Sequence, residues 1–216
     1  MRWLDFHLRF IQSKPRSIIL SNKFPMRLPA SVEAGLHRLE KVIMTGDDLN
    51  PYQYKTLFRF HDVSGKQRAK RTDLMWADWQ VHHLHLTDIN SNEGDYFSPR
   101  ACGDGESFLL FCIVTEDAIG FINIKKHSND YLFSDKSIME TAISSWPDYF
   151  KSSQLVDVMP GDEGYSNREI AELRKAGLTS TFQTGGKVYA LGGVSGASTS
   201  TIASLKSNKI LRWIKT

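Results

Sequence analysis

The titratable side chains of this sequence are densest in Trp76-Ala-Asp-Trp-Gln-Val-His-His-Leu-His-Leu-Thr-Asp88, which holds three of the seven histidines behind two tryptophans. Imidazole gives and takes a proton near neutral pH and also ligates metals. Gln80 to Leu86 reads as a strand running into the turn Thr87-Asp-Ile-Asn-Ser-Asn92. Side chains alternate across a strand, so His83 and His85 share one face with Val81, and His82, Leu84 and Leu86 share the other. The leucine face is expected to meet the core, which turns His83 and His85 toward a cleft or solvent. Two imidazoles so placed suit general acid–base catalysis or metal ligation. The plain alternative is a pair of structural, hydrogen-bonded histidines.

Two basic stretches flank this strand. Ser64-Gly-Lys-Gln-Arg-Ala-Lys-Arg71 places Lys66, Arg68, Lys70 and Arg71 in a loop just before it. Such a loop is either simply solvated or a phosphate-contacting patch. Further on, Phe108 to Thr115 is a continuous apolar run and so a buried strand. Glu116 and Asp117 turn it back into Ala118–Ile124, its antiparallel partner, which ends in Lys125-Lys126-His127. His127 at that strand end is the second place where chemistry is expected.

A third candidate is Gly192-Gly-Val-Ser-Gly-Ala-Ser-Thr-Ser-Thr201, a Gly/Ser/Thr loop opening a helix through Ile202, Leu205 and Ile210. Amides and hydroxyls at a helix start, including those of Ser195 and Ser198, can hold an anion. No Gly-Lys-Ser/Thr closes the loop, so it is not a Walker loop. Its glycines also miss the Gly-x-Ser-x-Gly elbow by one residue.

The elements that must carry these groups read as α+β: a central antiparallel sheet with N-terminal, middle and C-terminal helices packed on it. Leu4, Phe6, Leu8 and Phe10 alternate with polar residues and predict a strand. Arg2 and His7 match an Arg-x4-His spacing used by one nuclease superfamily, which a strand would not present as a helix does. Ser17–Leu20 reads as a short strand between Pro15 and Pro25. Val32, Leu36, Leu39 and Ile43 predict an amphipathic helix to about Met44. Pro51 to about Phe60 reads as an aromatic-rich helix or turn, and Asn90 to Gly105 as a loop. Ser134 or Asp135 caps a helix that Trp146-Pro147 ends. Ser166-Asn-Arg-Glu169 is a capping box, and Gly185-Gly186 marks a hairpin. The 216 residues are read as a single domain, 1–216, with a possible division into 1–63 and 64–216.

Composition narrows the function classes. Hydrophobic residues at 41% suffice for a core, and a net charge of +3 permits a polyanionic partner without demanding one. Cys102 and Cys112 lack metal spacing; Cys112, in an apolar strand, is expected to be a buried free thiol in a reducing cytoplasm. No signal peptide or membrane-length apolar run is read.

The hairpin Phe108–Ile124 with its Lys125-Lys126-His127 end, preceded by Lys66–Arg71, resembles small bacterial ribonuclease toxins of the RelE type and the broader barnase-like ribonuclease group. The resemblance covers about a third of the chain. The chain is also similar to uncharacterised proteins of bacterial and mobile-element origin. The ribonuclease resemblance implies metal-independent cleavage of RNA without a cofactor. His83 or His85 would be base or acid, with His127 as the partner group. Lys125, Arg68 and Arg71 would contact phosphate, and an antitoxin is a possible protein partner. Three rivals stand beside it. His85-Leu-Thr87 matches half of a two-histidine phosphoesterase signature whose second copy is missing at His127-Ser-Asn129. A divalent-metal hydrolase would ligate through His83, His85 and Asp88. A non-catalytic binding module of a toxin–antitoxin or phage-defence system would use the same basic surface to hold a protein or nucleic acid.

Overall fold

The computed structural model describes residues 2–58, 73–194 and 200–214. Lys66, Arg68, Lys70 and Arg71, and likewise Ser195 and Ser198, lie outside the described residues. The chain forms two compact units, each assembled from separated segments. One comprises Phe10–Lys55 and Val81–Leu132; the other comprises Met1–Arg9, Thr56–Gln80 and Phe133–Thr216. The fold is α+β. No described helix is long and apolar enough to cross a membrane.

The first unit holds a four-stranded sheet of order β1-β4-β3-β2, made from β1 (Ser17–Leu20), β2 (His82–Leu86), β3 (Phe108–Val114) and β4 (Ala118–Lys126). The sheet is mixed rather than wholly antiparallel: β1 runs parallel to β4, while β2–β3 and β3–β4 are antiparallel. The parallel pair arises because α2 (Ala30–Thr45) and the chain up to β3 intervene between the two strands, so no tight turn joins them. The β3–β4 turn is closed by Thr115, whose N–H and hydroxyl both donate to the Ala118 carbonyl at 2.9 Å.

On α2, Val32, Leu36, Leu39 and Ile43 are all buried, as the spacing predicts. They pack with Leu84, Leu86, Leu110, Cys112, Ile119, Phe121 and Ile124 in one cluster. Cys112 is a buried free thiol, and its burial raises its pKa. Gly35 lets α2 approach β2: a Cβ there would lie 2.8 Å from the Thr87 backbone nitrogen. Gly46 ends the helix in the left-handed region at φ 81°, and its N–H bonds the Val42 carbonyl. The segment after it forms two 3-10 turns, Asn50–Tyr52 and Lys55–Phe58, rather than one continuous helix. Asn50 is fully buried and pins Ile11 through both backbone groups, accepting from its N–H at 2.9 Å and donating to its carbonyl at 2.8 Å.

In the second unit the N-terminal segment is a helix, α1 (Arg2–Arg9), where alternation predicted a strand. The reason is a shared spacing. Positions four apart satisfy both a period of two and one helical turn, and a run this short does not separate them. Asp5 and Arg9, four apart, are the residues α1 buries, and Leu8 packs against Trp76, Ala77 and Val194. The other helices are α3 (Leu74–Trp79), α4 (Lys136–Ser145), α5 (Pro147–Phe150), α6 (Asn167–Lys175) and α7 (Thr201–Ile214). Asp73 caps α3, Asp135 caps α4, and the capping box at Ser166 and Glu169 opens α6. β5 (Phe182–Thr184) and β6 (Lys187–Tyr189) form the hairpin around Gly185 and Gly186, both at positive φ.

An ion pair joins α3 to α6. The Arg174 guanidinium donates to Asp78 at 2.8 Å, with both side chains nearly inaccessible. It also donates to the Phe133 carbonyl and lies 4.0 Å over the Trp79 ring. Burial outweighs the attraction at Asp78 and holds its carboxyl above the usual range.

Two stability predictions follow from this packing. Asp78→Ala strands a buried guanidinium and is expected to cost about 3–5 kcal/mol, whereas Asp78→Leu with Arg174→Met is expected to cost less than either single change. Denaturant unfolding of the set decides it, and a harmless Asp78→Ala would contradict a tightly packed pair. Gly35→Ala is expected to cost about 1–3 kcal/mol by forcing α2 off Thr87. An unchanged melting temperature would show that the helix yields freely.

Candidate functional site

The site starts from strand alternation on β2. Leu84 and Leu86 enter the α2 core, which places His83 and His85 on the opposite face of the sheet. Pairing sets two rows across that face: His85–Leu109–Lys125 and His83–Phe111–Asn123. His127 extends β4 by one step, its N–H bonding the Ser107 carbonyl at 2.8 Å, and its side chain falls on the same face as Lys125. The His85 and His127 rings stack, with centroids 5.9 Å apart and planes within 19°. His83 lies 6.4 Å from the Phe111 ring.

The exposure expected for this face is not found. His83 is 8% and His85 2% exposed. The sequence pattern placed them off the leucine core correctly, but leaving one core is not entering solvent: Leu109, Phe111 and Ile113 on the same face are buried as well. His127 is the exposed member of the group.

The loop between β2 and β3 supplies a cation that the sequence reading did not assign to the site. Thr87 donates to the Ala101 carbonyl at 2.9 Å, the Cys102 N–H to the Glu106 carbonyl at 2.8 Å, and Ser107 to the Arg100 carbonyl at 2.8 Å. These bonds fold the loop back on the strand ends and bring Arg100 within electrostatic reach of His85. Its guanidinium lies 4.5 Å over the Tyr54 ring. The available signal was slight: Arg100 is the one cation between Asn90 and Ser107.

The electrostatics of the group are one-sided. His85 is driven from 6.5 to about 3, first by burial and then by the positive charge of His83, Arg100 and His127; only the Arg100 backbone favours the charged form. Neither ring nitrogen of His85 reaches a partner at full hydrogen-bond geometry. His85 is therefore neutral at physiological pH. His127, one step beyond β4, is in contact with solvent. Among the described residues, the charged groups that act on His85 are all basic.

The other sequence candidates are distributed differently. Lys126 points to the opposite face and is tied to Glu106 at 2.5 Å. Asp88, the third ligand of the metal reading, accepts from the Gly103 N–H at 2.7 Å. Among the described residues no group of three or more His, Cys, Asp or Glu side chains is placed to hold a metal ion. Thr87 of the His-x-Thr match is fully buried. The start of α7 is already served by the chain itself: the Ser200 N–H bonds Asp5 at 3.0 Å, and the Ser200 hydroxyl accepts from Ala203 N–H at 3.2 Å. The Arg2/His7 spacing lies on a helix after all, and His7 is exposed and stacked on Trp3 at 5.2 Å.

Because the folded state holds His85 neutral while an unfolded chain protonates it near 6.5, the unfolded state binds the extra proton below that pH. The stability from this residue is complete above 6.5 and is lost as pH falls toward about 3. Urea unfolding at a series of pH values should show wild type losing up to about 1.4 kcal/mol per pH unit more than His85→Phe across this window. Parallel curves for the two proteins would contradict a neutral buried ring.

No known protein family matches the chain, and neither the curated proteins nor the solved structures contain a significant relative.

Proposed function

We propose that the protein is a metal-independent endoribonuclease of toxin type acting through His85 and His127. The observation that supports this reading is the stacked imidazole pair, in which His85 is buried and held neutral while His127 is exposed. Phosphodiester transfer in RNA needs a general base and a general acid, roles that two imidazoles can fill. Neutral His85 takes the proton of the 2′-hydroxyl as its oxygen attacks phosphorus. His127 gives a proton to the 5′-oxygen as the P–O bond breaks, leaving a 2′,3′-cyclic phosphate. Lys125, in the His85 row, and Arg100 offset the charge that develops on the phosphoryl oxygens. His83 stands behind the pair as a positioning residue. Lys66, Arg68, Lys70 and Arg71 are further phosphate contacts in this proposal. RNA as substrate implies a cytoplasmic setting, and a toxin implies a neutralising protein partner.

The 2% exposure of His85 favours a second reading, in which the same cationic groups bind nucleic-acid phosphate without cleaving it.

Purified protein incubated with total RNA, with and without EDTA, separates the two. The nuclease reading expects EDTA-resistant cleavage that falls about 10²-fold or more in His127→Ala and in His85→Phe, with folding retained. Expression of the wild type should arrest bacterial growth, and either variant should relieve it. Intact RNA that is nevertheless retained, with retention weakened by Arg100→Ala and by salt, supports the binding reading and sinks the nuclease.

A further inference from the structure

We propose that the open edge of β1 is a dimerisation surface, pairing antiparallel with β1 of a second copy of this chain about a two-fold axis at Ile19. Ser17 N–H donates to Asp117 and Ser21 N–H to Phe121, at 3.0 and 2.9 Å. With the parallel register Ser17↔Ala118 to Leu20↔Phe121, residues 17, 19 and 21 turn their backbone groups toward β4. Ile18 and Leu20 therefore turn their N–H and C=O groups outward. The outward N–H of Arg16 is already taken by the Ile43 carbonyl at 3.1 Å, so among the described residues the open edge is confined to Ile18 and Leu20.

A second β1 satisfies that edge completely. Antiparallel pairing centred on Ile19 sets Ile18 opposite Leu20 of the other copy, a hydrogen-bonded pair, and the two-fold repeats it. Four backbone bonds result, with Ile19 facing Ile19 across a close non-hydrogen-bonded position. The same register covers the exposed side chains of the strand: Leu20, 51% exposed, packs on Ile18 of the other copy, and Ile19, 46% exposed, packs on its own equivalent.

Charge and edge chemistry agree with this occupant. Ser-Ile-Ile-Leu-Ser carries no charge and no proline, the usual guards of a sheet edge. Arg16 falls opposite Asn22 and Ser17 opposite Ser21, so no like charges meet. Lys14, just before the strand, is paired with Glu116 and Asp117 at 3.6 and 3.2 Å. A four-residue edge buries little area, so the dimer is weak and concentration-dependent.

Sedimentation velocity over a concentration series tests the proposal, with circular dichroism confirming that each variant is folded. Wild type should shift from monomer toward dimer as concentration rises. Ile19→Lys, which opposes two ammonium groups on the axis, should raise the dissociation constant at least about tenfold. Leu20→Pro removes an outward N–H without touching the bonds to β4 and should act likewise. Ile19→Cys should form an intermolecular disulfide under mild oxidation, whereas Ser17→Cys should not, because only the axial residue meets itself. A wild type that stays monomeric at all soluble concentrations overturns the proposal. So does a dimer indifferent to both edge variants, or cross-linking at position 17 equal to that at 19.

Discussion

A strand has two faces, and β2 spends one of them on Leu84 and Leu86, which are fully buried against α2. The other face must then hold His83 and His85, whatever that costs. The β2–β3–β4 register carries the constraint outward: it ranks Lys125 with His85 and sets His127 one step beyond. Gly35 belongs to the same constraint, since only its missing Cβ lets α2 close on Thr87 and seat the two leucines.

Placing imidazoles inside a packed sheet has an electrostatic consequence. A carboxylate would stabilise a buried imidazolium, and among the described residues the charged groups that act on His85 are all basic. The residue responds by remaining neutral rather than by recruiting a counter-ion. The other buried charge cluster resolves the same problem in the opposite way. Arg174 keeps its charge because Asp78, the Phe133 carbonyl and the Trp79 ring surround it. The first cluster meets burial by giving up a proton, and the second by pairing its charge. That contrast is why the proposed chemistry is placed at the histidines and a structural role at Asp78 and Arg174.

Much of the scaffold was legible because its signals are local. The α2 stripe, the caps at Asp135 and Ser166, the Gly185-Gly186 hairpin and the β3–β4 pair each depend on residues within one turn or one hairpin of each other. The face assignment of His83 and His85 was legible for the same reason. What failed was non-local or ambiguous. Helix α1 was missed because a four-residue spacing fits two periods, and the parallel β1–β4 pairing because it joins segments about a hundred residues apart. The burial of His85 and the approach of Arg100 depend on where the 21-residue loop 87–107 and a second sheet face end up, which no short window of sequence encodes.

The central claim is that the buried member of the stacked pair carries no proton at physiological pH. Side-chain nitrogen NMR of ring-labelled protein reads this directly, with His85→Phe supplying the assignment. The account predicts that His85 keeps the two distinct nitrogen shifts of a neutral imidazole at every pH from about 8 down to about 5. A His85 signal that titrates with a midpoint near its unperturbed 6.5 would contradict it.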